Sequence, residues 1–206
     1  MKSQHQQYFR ANKIEAVALK AVPFEYACQQ NITDFKEIIT AQLSGNIILP
    51  HAFGLPSDKY QTLLNLLDDN DLFNLELLWH QDESDMIRER ALLCEKLFSF
   101  KEEEREELIT LLCSYRNEDE PSSLEMAMLI ACACLTNSHL WSSLGLSDRS
   151  QLGALIKYNF PKLHALNTEN MRWKRFFYRQ LCQQGGDFIC KAPSCGECKS
   201  YAECFA

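Results

Sequence analysis

Glycine is scarce in this chain, seven in 206 residues. No glycine-rich phosphate loop and no Gly-x-Ser-x-Gly elbow can be found, which argues against a nucleotide-binding fold and an α/β-hydrolase. Valine is nearly absent, and no stretch alternates apolar and polar residues over strand length, so β-structure is not expected. No apolar run approaches the roughly 20 residues that cross a bilayer. Met1 to Arg10 are polar with no apolar stretch behind them, which argues against a secretory signal and for a cytoplasmic protein. No His-x3-His pair and no paired-carboxylate constellation is present, so nothing marks the chain as an enzyme.

What the chain has in excess is cysteine. There are ten, and five of them fall in the last 25 residues. Without an export signal these thiols are expected to stay reduced, as small core residues or metal ligands rather than disulfides. They separate by neighbourhood. Cys28, Cys94, Cys113, Cys132 and Cys134 sit among apolar or helical residues, whereas Cys190, Cys195, Cys198 and Cys204 sit among Gly, Pro, Ser and Lys. Charge divides the chain in the same way. Residues 151–206 hold eight basic against four acidic residues, for a charge of +4, while the rest carries −11 of the net −7.

With 46% apolar and 24% charged residues the composition is globular. Helical spacing recurs along it. Ile14, Val17, Ala18 and Ala21 precede Pro23, and a second run covers Thr33 to Leu43. Asn46 to Pro56 reads as a loop, Ser57-Asp58 opens the next helix, and Asp82 to Phe100 is amphipathic with Ile87, Ala91, Cys94 and Leu97 or Phe98 on a stripe. Lys101 to Glu107 reads as a charged turn leading into Leu108, Leu111 and Leu112. Ser122 with Glu125 forms a capping-box signature for a helix, Met126 to Leu135, that is apolar nearly all round and belongs at the centre. Ser147-Asp148 starts another helix, which Pro161 ends, and Asn167 or Thr168 caps a last one closed by Gly185-Gly186. The expectation is an all-α protein: a helical body over 1–186, with a basic final helix at about 168–183, and a loop-rich cysteine tail over 187–206. That tail is too short to bury a core of its own, so a bound metal is the expected means of holding it.

The tail reads Cys190-x4-Cys195-x2-Cys198-x5-Cys204. A C-x2-C pair points two thiolates into one site, the flanking pair completes four-sulfur coordination, and Pro193 and Gly196 suit the turns between. Three readings stay open on spacing alone: a four-cysteine zinc knuckle, an iron–sulfur centre, and a disulfide or redox pair, which lacks the usual βαβ surroundings. Upstream, Met171 to Cys182 interleaves aromatics with Arg172, Lys174, Arg175 and Arg179. A stacking surface for nucleic acid is one reading. An amphipathic helix with Trp173, Phe176 and Phe177 turned inward is the simpler one, and the acidic balance of the whole protein disfavours nucleic acid. A third reading makes these cations a docking surface for an oxyanion or an acidic partner. His139 and Cys182 are further candidate ligands; each is as simply explained by packing. His164 has no role readable from its surroundings, and Cys132-x-Cys134 points to different sides of a helix, as core residues do.

The segment from Asn170 to Cys182, the four-cysteine tail, Ala131 to Leu135, and His139-Leu140-Trp141 with Leu144-Gly145-Leu146 together resemble the NifQ family over about residues 125 to 206. The resemblance implies a small protein of nitrogen fixation that supplies molybdenum for assembly of the nitrogenase iron–molybdenum cofactor. It further implies a molybdenum–iron–sulfur cluster on Cys190, Cys195, Cys198 and Cys204, with the nitrogenase cofactor-assembly scaffold and the nitrogenase iron protein as partners. Neither nucleic acid nor membrane is implied as a partner.

Overall fold

The computed structural model describes residues 29–67, 74 and 85–185, and among these there is no strand. The expected helix at 14–21, Cys28 and the four-cysteine tail lie outside the described residues. The elements are α1 (Gln29–Leu43), a 3-10 turn (His51–Gly54), α2 (Ser57–Leu67), α3 (Asp85–Ser99), α4 (Glu102–Cys113), α5 (Ser123–Cys134), α6 (Leu140–Ser143), α7 (Arg149–Asn159), α8 (Pro161–Leu166) and α9 (Trp173–Gly185). The all-α expectation holds for this body.

Helix α5 is the centre, as its all-round apolar sequence predicts. From Met126 to Cys134 every residue but the part-buried Met128 is at most 1% exposed. Helix α4, the 3-10 turn and α6 pack around it, and α9 lies against α4. The 3-10 turn belongs to the stretch 46–56, which is irregular as expected but is not a surface loop. Leu49 and Phe53 are fully buried there. Their backbone is accommodated by the Gln42 amide, which donates to the carbonyls of Leu49 (3.1 Å) and Pro50 (2.6 Å).

Three local expectations are corrected. Residues 102–107 are the first turns of α4 rather than a turn, because Glu102, Glu103 and Glu104 sit at a helix N-terminus, where negative charge is stabilised. Ser122 precedes α5 but caps nothing with its side chain. Its hydroxyl instead donates to Glu120 Oε1 (2.6 Å) and accepts from Asn31 Nδ2 (2.8 Å). This belongs to a buried network in which the Asn31 and Asn159 amides exchange hydrogen bonds at 2.7 and 2.8 Å, tying α1 to α7. Burying these groups unpaired would cost more than a cap contributes, so the network takes the serine.

The last helix begins at Trp173, not at 168. Asn167 cannot cap it. Its side chain accepts from the Met171 N–H and donates to the Met171 carbonyl, both at 2.8 Å, and so holds 167–171 as a loop. Arg149 locks the far end of that loop by donating to the carbonyls of Asn170 (2.6 Å) and Met171 (3.0 Å). The start of α7 is as expected: the Asp148 carboxylate accepts from the Gln151 N–H at 2.9 Å. Pro161 both follows the end of α7 and opens α8, in the first-turn position that suits proline. Gly145 (φ +70°) lets this end of the molecule close on α1, since a Cβ there would lie 2.5 Å from that of Ala41.

Candidate functional site

Helix α9 carries the sequence that marks the site. Trp173, Phe176, Phe177 and Tyr178 are buried, with Trp173 ring centroids 5.9 Å from Phe176 and 6.0 Å from Phe177. Tyr178, fully buried, donates its hydroxyl to Glu104 and so pins α9 to α4. The aromatics of the interleaved segment are therefore core residues, which matches the amphipathic reading.

The cations do different things. Lys174 donates to the carbonyls of Thr136 (2.6 Å) and Ser138 (3.0 Å), just past the end of α5. Lys101 reaches the Leu135 carbonyl beside them at 3.4 Å. Two ammonium groups thus gather at carbonyls just beyond the negative end of the central helix. The sequence gives no sign of this clamp, because each lysine acts on carbonyls about thirty-five residues away. Arg172 places one guanidinium nitrogen 3.2 and 3.3 Å from the two ring nitrogens of His139. The His139 ring lies nearly parallel to Trp141 at 6.4 Å, and its carbonyl accepts from Ser143. Arg179 pairs with Glu169 at 3.0 Å on the surface. Arg175, Arg179 and Cys182 follow one another at spacings of four and three, which sets them along one side of α9. A shallow groove of about 270 Å³ runs beside that helix, bordered by Asn167, Glu169, Met171, Arg179 and Gln183.

The thiols separate sharply. Burial pushes the Cys94 and Cys113 thiols up to about 11 and the Cys134 thiol up to about 12, while that of Cys132 is raised still further. These groups stay protonated at neutral pH and do not offer the thiolate that metals and electrophiles require. Cys182, by contrast, is only half-buried. Among the described residues no group of three or more His, Cys, Asp or Glu comes together to hold a metal. His139 lies by Arg172. His164 lies by Trp173, with ring centroids 5.3 Å apart, and burial and then Lys157 hold its pKa down. The four tail cysteines lie outside the described residues, and α9 ends at Gly185, five residues before the first of them.

Fold and site thus define a class: a protein whose described residues form an all-helical body, with a basic helix, α9, preceding a cysteine-rich stretch of sequence. A family model described as NifQ matches residues 34–206. Similar proteins include the Protein NifQ of Azotobacter vinelandii, 39% identical over 82% of this chain and 85% of its own. The Protein NifQ of Klebsiella pneumoniae is 41% identical over 60% of this chain and 72% of its own. No solved structure matches. The chain belongs to the NifQ family, which is linked to nitrogen fixation and molybdenum processing. The match extends well beyond residues 125–206, reaching back to α1. Neither the family description nor these relatives' names specify a catalytic activity. Among the described residues no helix is long and apolar enough to cross a membrane.

Proposed function

We propose that this protein carries molybdenum as part of a molybdenum–iron–sulfur cluster and delivers it to the assembly of the nitrogenase iron–molybdenum cofactor. Cys190, Cys195, Cys198 and Cys204 hold that cargo. The observation that carries the reading is the division of the thiols: four described body cysteines are buried and held protonated. The four tail cysteines, by contrast, keep a ligand spacing inside the region matched by the family model. Soft thiolates suit iron–sulfur and molybdenum–sulfur centres better than oxygen ligands do. The receiving partners are the cofactor-assembly scaffold and the nitrogenase iron protein, and Arg175 and Arg179, in line with Cys182, attract molybdate or the partner's acidic surface.

A zinc-stapled helical module is the competing reading of the same spacing, and a simple iron–sulfur protein is a third. Anaerobic purification with elemental analysis and an absorption spectrum separates them. Iron, sulfide and molybdenum in a brown protein are expected here. Stoichiometric zinc in a colourless protein overturns the proposal, and iron and sulfide with no molybdenum under molybdate supply limit it to a plain cluster.

A further inference from the structure

Helix α3 carries an apolar row that its own body does not use. Its inner side is ordinary: Ala91 and Cys94 are buried, and Ile87 and Phe98 are packed against the core. On its outer side Met86 is 68% exposed, Leu93 59%, Leu97 56% and Phe100, just past the helix end, 86%. Single apolar residues on a surface need no explanation, but four along one side of a helix do. With Arg90 included, positions 86, 90, 93, 97 and 100 step by four and three in alternation, the seam spacing by which two helices pack side by side.

The charges beside the row indicate what covers it. Glu89 and Lys96 border the same side of the seam and are exposed. The ends of the row and the charges are centred half a residue apart: Met86 and Phe100 stand seven residues either side of Leu93, and the midpoint of Glu89 and Lys96 falls between Leu92 and Leu93. A second copy turned end for end about the centre of the row places Leu93 on Leu93 and Met86 on Phe100. The same turn brings each Glu89 to within one residue of the other copy's Lys96, about 1.5 Å along the axis. A parallel arrangement breaks that exchange. The face is self-complementary in shape and charge, as a two-fold interface requires.

We propose that α3 is a self-association surface, through which two copies pair antiparallel across a two-fold axis at Leu93. Fourteen residues of helix span about 21 Å, less than supplies the roughly 800 Å² per partner of a standard interface. The dimer is therefore weak and reversible, with a dissociation constant on the order of tens of micromolar.

Sedimentation equilibrium of the full chain under reductant, from about 1 μM to 1 mM, is expected to show a monomer–dimer equilibrium. Leu93→Glu, which buries two carboxylates face to face on the axis, weakens it by at least about tenfold. Glu89→Lys and Lys96→Glu each weaken it about five- to tenfold, and the double variant E89K/K96E restores it. That restoration cannot arise within one chain, because the two residues are seven apart on the helix and do not touch. All these positions are exposed, and circular dichroism checks that the variants fold. A monomer throughout the range overturns the proposal, as does a dimer insensitive to Leu93→Glu or a double variant as weak as the single ones.

Discussion

At the scale of the residue, burial decides which cysteines can do chemistry. A thiol enclosed in an apolar helix cannot lose its proton without placing a charge in a low-dielectric interior, so Cys132 and Cys134 behave as small hydrophobes. In native protein, iodoacetamide is expected to spare Cys94, Cys113, Cys132 and Cys134 and to modify Cys182; denaturant exposes all five. Peptide mass spectrometry reads the pattern, and labelling of Cys132 at the rate of Cys182 would contradict it. Glu125 poses a similar question for a carboxylate. It is 4% exposed, its Oε2 has no hydrogen-bond partner, and burial raises its pKa. A carboxyl whose pKa is higher in the folded state costs stability when ionised, and that cost vanishes as pH falls through the folded value toward the ordinary carboxylate range. Glu125→Gln is therefore expected to be more stable than wild type at pH 7, by on the order of 1 kcal/mol, with the gap closing on acidification. Urea titrations across pH test this, and a variant less stable at neutral pH would show that Glu125 is better satisfied than its surroundings indicate. The division of the thiols was legible in the sequence, since Cys132 and Cys134 stand among Ala, Leu and Ile. The burial of Glu125 was not, because it depends on how α5 meets the rest of the body.

At the scale of the element, local signals worked where they acted locally. Ser147-Asp148 announced α7 because the Asp148 carboxylate accepts from a backbone N–H only three residues on, that of Gln151. The signals that failed were overruled from a distance. Ser122 was drawn from its cap by Asn31, ninety-one residues away, and Asn167 was committed to Met171 before it could start α9. The run of acids before Leu108 looked like a solvated turn but is the favourable first turn of α4. Lys174 is the most consequential of the unread residues. It reads as one more surface cation, whereas it ties α9 to the end of the central helix. Lys174→Gln is expected to cost about 1.5–3 kcal/mol of unfolding free energy, the range for hydrogen bonds from a charged donor. Chemical denaturation measures it, and an unchanged midpoint would make the clamp dispensable. Arg175 and Arg179 lie on the side of α9 in line with Cys182 and probe docking apart from this clamp. Arg175→Gln with Arg179→Gln is expected to lower molybdenum loading or delivery, with chemical denaturation of the same variant separating that loss from any loss of stability.

At the scale of the whole molecule, the acidic balance of the chain and its basic C-terminal quarter serve separate ends. The body supplies a packed helical platform centred on α5. Its basic side, along α9, ends next to the segment that holds the cysteine motif. How much of this was readable differs by part. The class of fold followed from spacing and from the missing β signals, and the motif followed from counting residues between cysteines. The metal did not follow, because zinc and iron–sulfur centres accept the same four thiolates, and only family membership narrows the choice. The central claim is that Cys190, Cys195, Cys198 and Cys204 carry molybdenum in an iron–sulfur setting. The most direct measurement compares iron, sulfide and molybdenum per chain in anaerobically purified wild-type protein and in a variant with all four replaced by alanine, produced with molybdate supplied. All three should be present in the wild type and fall together to background in the variant, with helical content unchanged. A variant that keeps its molybdenum and iron would contradict the account.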